Sequence, residues 1–335
     1  MDNDRNQLTQ QSVYEANLIS GIMWNDVESV KSLLKYVNPS VDENLALWIA
    51  IKRGYIDMVK LLLTDPRVGF DLEDGSAIEL AAGIGRKEIV ALLIADHRAR
   101  SYHLISAVKA AAVYGYAEIV KLLLADPRVN ESRFTVDFAL SMASRYGHTG
   151  VVQMLLSRVD KSNINYEIKA AARWNQMGVI KLLLADPRAD SSAINRAMYD
   201  TARHGHVDMI KLLMSDPRVD PRYDHAAAFI AGIDGGQDKV TSFFIKSGLV
   251  LKEDMREAMY VATRGKNNKI LQMLLDHFGY YANVQCYVDA LSLSRNMLTT
   301  RKNNASWRSH LWKYYSIIRR LVRDHLVIDL LHSLL

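Results

Sequence analysis

The chain has 335 residues, 49% of them hydrophobic and 24% charged, a balance that excludes extensive disorder. The formal charge of +5 is carried by residues 280–335, where eight Lys and Arg face three Asp, and the residues before them hold bases and acids in equal number. That balance argues against nucleic-acid binding along the chain. A single cysteine, Cys286, allows no internal disulfide, the start MDNDRNQLTQQ lacks the basic then apolar layout of a signal peptide, and no run of about 18 apolar residues could span a bilayer. An intracellular, cytoplasmic chain is the expectation.

Residues 1–15 read as a polar N-terminal segment. From residue 16 to 279 one pattern recurs nine times, centred on a Gly-like residue at Asn25, Gly54, Gly85, Gly115, Gly147, Asn175, Gly205, Gly236 and Lys266, in steps of 28 to 32. A period of this length signifies stacked repeats. Eight residues before each centre stands Ala in seven units, with Asn17 and Glu167 as exceptions, and four before it always a small residue. This spacing predicts a helix with a small, apolar stripe that lets neighbouring backbones approach. After the centre a second helix is expected, with Val, Ile or Leu five residues on, except at Thr241, and Leu eight residues on, except at Phe244. Neither helix of such a pair can bury its apolar face alone, so the units must stack.

The second helix meets Asp-Pro at Asp65-Pro66, Asp126-Pro127, Asp186-Pro187 and Asp216-Pro217. Proline lacks the amide a helix needs and pushes the residue before it out of helical conformation, so these dipeptides read as helix stops. Gly232 to Gly236 reads GIDGG without the Lys-Ser/Thr of a phosphate loop, and is expected to be a softer joint between units.

SAIELAAGIG at Ser76 to Gly85 and SAVKAAAVYG at Ser106 to Gly115 resemble the opening of an ankyrin repeat, with its Thr-Pro and His replaced, across roughly residues 16–278. The resemblance implies an all-α solenoid of antiparallel helix pairs. Because the units average about 30 residues against the family's 33, the hairpins between pairs should be shortened loops. Short arrays phrased as VKLLLADPRV resemble those of large DNA viruses of protists and of some protist and fungal genomes, and a viral source would place the chain in a host cytoplasm.

Residues 280–335 repeat the signature at Ala290, Leu291 and Ser294, and LVRDHLV at Leu321 to Val327 echoes LLADPRV at Leu123 to Val129. A degenerate tenth unit is expected there, split by a basic insertion and covering the last apolar face. Within it Trp307, Arg308, Trp312 and Lys313 form a secondary candidate surface for nucleic acid or an anionic membrane, set against the readings that they coat a cap or belong to a docking helix for a partner.

The ankyrin resemblance implies that the two residues before each turn look into a concave groove. In the middle four units, where Val113 precedes the first of them, they present Tyr114, Arg145, Tyr146, Arg173, Trp174, Arg203 and His204. Aromatic and Arg side chains anchor protein interfaces, so this stripe is the candidate partner-binding site, suited to an acidic partner segment. The competing reading has the aromatics packing on the next repeat. His204 and His206 have no Cys or carboxylate to complete a metal set, and no nucleophile, paired carboxylate or cofactor motif stands out. The expectation is a monomeric, non-enzymatic protein-interaction scaffold without metal or cofactor. The alternative is an adaptor recruiting targets to ubiquitin ligation or other host machinery.

Overall fold

The computed structural model describes residues 2–72, 75–130, 133–265 and 267–278. The chain divides into two compact bodies between Asp186 and Pro187. In the first, helices come in pairs: α1 (Asp2–Met23) with α2 (Val27–Leu33), α3 (Val41–Arg53) with α4 (Ile56–Leu63), α5 (Ala77–Gly83) with α6 (Lys87–Ala95), and α7 (Ser101–Tyr114) with α8 (Ala117–Leu124). A short α9 (Pro127–Asn130) precedes α10 (Arg133–Tyr146) with α11 (Thr149–Leu155), and α12 (Lys161–Arg173) with α13 (Met177–Ala185) completes this body. The second contains α14 (Ser191–His204) with α15 (Val207–Met214), α16 (Tyr223–Asp234) with α17 (Asp238–Lys246), and α18 (Met255–Gly265) with α19 (Asn268–Phe278).

Within each body, first helices pack on first helices and second on second, as in α7 on α10 and α8 on α11. The repeated Ala explains how: Ala46, Ala77, Ala107, Ala139, Ala197, Ala228 and Ala258 are all buried, as are Leu62, Leu93, Leu123, Leu155, Leu183, Leu213 and Leu274 of the second helices. Thr241 keeps the burial of the Val and Ile it replaces by donating its hydroxyl to Gln237 O, 3.0 Å away. This back-bond to the preceding turn satisfies a hydroxyl inside a helix.

The turns described inside the pairs take a left-handed residue. Gly115 has φ 80° and Asn175 φ 58°, a region open to Gly and tolerated by Asn. A side chain at Gly115 would also strike the His148 ring. That ring belongs to a second recurring device, in which the residue after a turn reaches back to a first-helix carbonyl of the preceding unit. His148 Nε2 donates to Val113 O at 2.7 Å, Gln176 Nε2 to Arg145 O at 2.8 Å, and Arg86 Nη2 to Lys52 O at 3.0 Å.

The second helices α4, α8, α13 and α15 end one or two residues before Asp-Pro, as proline requires. The Arg that follows has a further task that its sequence alone did not reveal. Arg128 donates through Nε and Nη2 to both carboxylate oxygens of Asp126, at 2.9 and 2.6 Å, and also to Ile94 O and Ala99 O, each at 2.8 Å. Arg67 reaches Leu34 O at 2.9 Å and Arg98 reaches Leu63 O at 2.8 Å in the same manner. Each forked guanidinium thus satisfies carbonyls at the end of the preceding unit's second helix, which the helix itself cannot pair. The hydrogen bond from each Arg holds Asp65, Asp96, Asp126 and Asp216 below the usual carboxylate range.

One antiparallel hairpin occurs among the described residues, β1 (Asp71–Leu72) with β2 (Gly75–Ser76). Asn44 fixes it, donating to Asp71 O and accepting from Gly69 N, both at 2.9 Å. The GIDGG segment differs from its expectation as a soft joint: Gly232 lies within α16, and a side chain at Gly235 would collide with the Arg203 carbonyl. Its glycines permit close packing of α16 on α14. The degenerate tenth unit lies outside the described residues.

Candidate protein-binding face

Opposite its buried stripe, each first helix presents positions 13, 9, 6 and 2 residues before the turn, which share one face of a helix. On α7 these are Tyr102, Ser106, Lys109 and Val113; on α10, Phe134, Phe138, Ser141 and Arg145; on α12, Ser162, Tyr166, Lys169 and Arg173. None is acidic. Phe134 is 68% exposed and Tyr166 57%, while Tyr114 and Trp174, next to the turns, are 61% and 49% exposed. Values this high exclude a core role for these rings.

The structure brings several of the expected residues together. The Arg145 guanidinium lies 4.3 Å from the centre of the Trp174 ring and 5.8 Å from that of Tyr146. Lys109 Nζ stands 4.9 Å from Phe138 and 5.7 Å from Phe134. A cation over an aromatic face is held by the ring quadrupole, which pre-orients both partners without neutralising the charge. Among the described residues no carboxylate pairs with Lys109, Arg145, Lys169 or Arg173. Tyr102 is tied down, its hydroxyl donating to Asp71 Oδ1 at 3.2 Å. Tyr114 rests beside Gly83 of the preceding unit.

Arg203 and His204 belong to the second body and differ in kind. Arg203 pairs with Asp234 at 3.4 Å, and Arg264 pairs with the same carboxylate at 2.9 Å, so these cations are neutralised internally. His204 Nδ1 donates to Asp200 O at 2.7 Å, and its ring stacks on His206 with centres 6.2 Å apart. Trp307, Arg308, Trp312 and Lys313 lie outside the described residues. Sequence reasoning missed Phe134, Phe138, Tyr166 and Lys109. The signal was available in the positions 13, 9 and 6 before the turn, which complement the Ala stripe.

Beneath this face lies a carboxyl group at one of the Ala positions. Glu167 is 2% exposed, and burial pushes it up to about 7. The neighbouring Asp137 charge adds to that rise, whereas Ser144 and Ser141 oppose it. Asp137 Oδ1, Ser144 Oγ and Glu167 Oε2 are buried without a hydrogen-bond partner, which makes the contact of α10 with α12 a polar one.

No described helix is long and apolar enough to cross a membrane. The family described as ankyrin repeats (3 copies) matches residues 18–104 and 107–195. No curated protein matches the chain. With more than half of its length matched and helix pairs stacked through a conserved register of small residues, the chain belongs to the ankyrin-repeat family, an all-α repeat fold that generally serves protein–protein interaction.

Proposed function

We propose that the chain is a non-enzymatic scaffold that takes a partner protein on the concave face of the first body, across α7, α10 and α12. Tyr114, Arg145, Tyr146, Arg173 and Trp174 form its border. The observation that carries this reading is the combination of exposed aromatic rings with cations that no carboxylate among the described residues neutralises, whereas the corresponding Arg203 and Arg264 are paired with Asp234. A surface that leaves such groups unmatched is complementary to something outside the chain. Arg203, paired with Asp234, and the neighbouring His204 lie outside this face.

The test compares the full chain with Arg145→Ala, Trp174→Ala in affinity capture from the native cell, read by mass spectrometry, after circular dichroism has established equal helicity. Truncating an Arg or Trp that serves as a hot spot costs about 2 kcal/mol or more, roughly a 30-fold loss of affinity. Partners retained by the intact chain and lost from the variant support the reading. Identical partner sets would refute it.

A further inference from the structure

On the basis of that reading, we infer that the face recognises an extended acidic segment in polyproline II conformation, with an apolar residue followed at every third position by carboxylates. The argument rests on register. Arg145 and Arg173 occupy the same place on neighbouring helices, two residues before the turn, and Val113 holds it on α7. The next place along carries Tyr114, Tyr146 and Trp174. Two parallel rows therefore cross the three helices, one reading apolar, cation, cation and the other aromatic throughout.

Helices in contact lie about 8–10 Å apart. A polyproline II chain advances about 3.1 Å per residue with three residues per turn, so every third side chain points the same way and advances about 9 Å. That matches the helix spacing. A β-strand has a similar reach, but residues three apart point to opposite faces; an α-helix rises only about 1.5 Å per residue and would need about six residues per step. Polyproline II segments also seat on rows of aromatic rings, which here stand beside the Arg row. The rigid segment loses little entropy on binding, and its carboxylates meet Arg145 and Arg173, which have no internal carboxylate partner among the described residues.

The experiment uses the full chain and fluorescein-labelled peptides of about twelve residues, read by anisotropy. One peptide carries glutamate at every third position with proline and alanine between, one has the same composition with its glutamates contiguous, and one has lysine in place of glutamate. A single-stranded oligouridylate of similar length is the fourth probe. The expected result is at least about tenfold tighter binding of the spaced glutamate peptide than of the contiguous one. Arg145→Glu, Arg173→Glu should abolish that binding and transfer preference to the lysine peptide. Equal affinity for both glutamate peptides, unchanged binding by the charge-reversed chain, or tighter binding of the oligouridylate overturns the inference. If no glutamate peptide binds while cellular partners still depend on Arg145 and Trp174, the inference fails and the scaffold reading stands. If those partners are also indifferent to the two side chains, both fail.

Discussion

Replacing Glu167 by glutamine removes an ionisable group from the contact between α10 and α12 while keeping its shape. In the unfolded chain the carboxyl titrates near 4.5, and in the folded chain near 7. Below about pH 4.5 both forms hold the proton and ionisation adds no penalty. Between the two values folding must retain a proton that the unfolded chain gives up, so stability falls as pH rises, and above about 7 the full penalty applies. At about 1.4 kcal/mol per pKa unit this penalty is about 3 kcal/mol. That figure is a ceiling on the gain from glutamine, because the amide is also desolvated. Since repeat arrays open locally, amide hydrogen exchange of α10 and α12 is a suitable assay, with each variant compared at the same pH. Glu167→Gln should increase protection there by up to about a hundredfold at pH 8 and hardly at all at pH 4. The groups facing Glu167 are Asp137, Ser141 and Ser144, all on α10, so Asp137→Asn should shift the transition to lower pH. Equal protection of Glu167→Gln and the parent chain at pH 8, or an advantage independent of pH, would refute the assignment.

Two further perturbations test the architecture. Arg128→Ala removes the bonds to Ile94 O, Ala99 O and Asp126 and should cost about 2 kcal/mol, with Arg128→Lys recovering only part because it lacks the fork. The folded-state pKa of Asp126 is lowered chiefly by this Arg, so the contribution is complete above the ordinary carboxylate range and disappears as pH falls through the lowered value. Urea unfolding should show a larger difference between parent and Arg128→Ala at neutral pH than in acid, where the bonds to the Ile94 and Ala99 carbonyls remain and the Asp126 part is lost. Gly235→Ala drives a methyl into the Arg203 carbonyl, whereas a methyl at Gly265, in α18, meets nothing within 4 Å. Thermal melting should show the first destabilised by more than about 2 kcal/mol and the second stabilised by about 0.5–1 kcal/mol; a reversal of that order would contradict the packing described.

The helix pairs were legible because their signals are local. A Gly or Asn at the turn, a small residue four earlier and Leu eight later are each dictated by backbone geometry or by close packing, and such constraints recur wherever the geometry does. Thr241 and Glu167 were visible as departures, but only the structure distinguishes a hydroxyl satisfied by Gln237 O from a carboxyl whose Oε2 is buried without a partner. The binding face was half legible. The residues beside the turns, such as Tyr114 and Trp174, could be aligned by eye, whereas Phe134 and Tyr166 required the far end of the helix to be placed in register. The split between Arg145, free of carboxylates, and Arg203, paired with Asp234, could not be read from either Arg. It depends on which residue the neighbouring unit offers at the same place.

The Arg fork has a consequence in time. Carbonyls at the end of a second helix are completed by a residue about one repeat further along, as Leu63 O is by Arg98 and Ile94 O by Arg128. During synthesis at about 5–20 residues per second, each newly emerged pair therefore waits roughly two to seven seconds for the donor that closes it. The growing array always has one frayed rung at its leading edge, and it is sealed from behind by its successor.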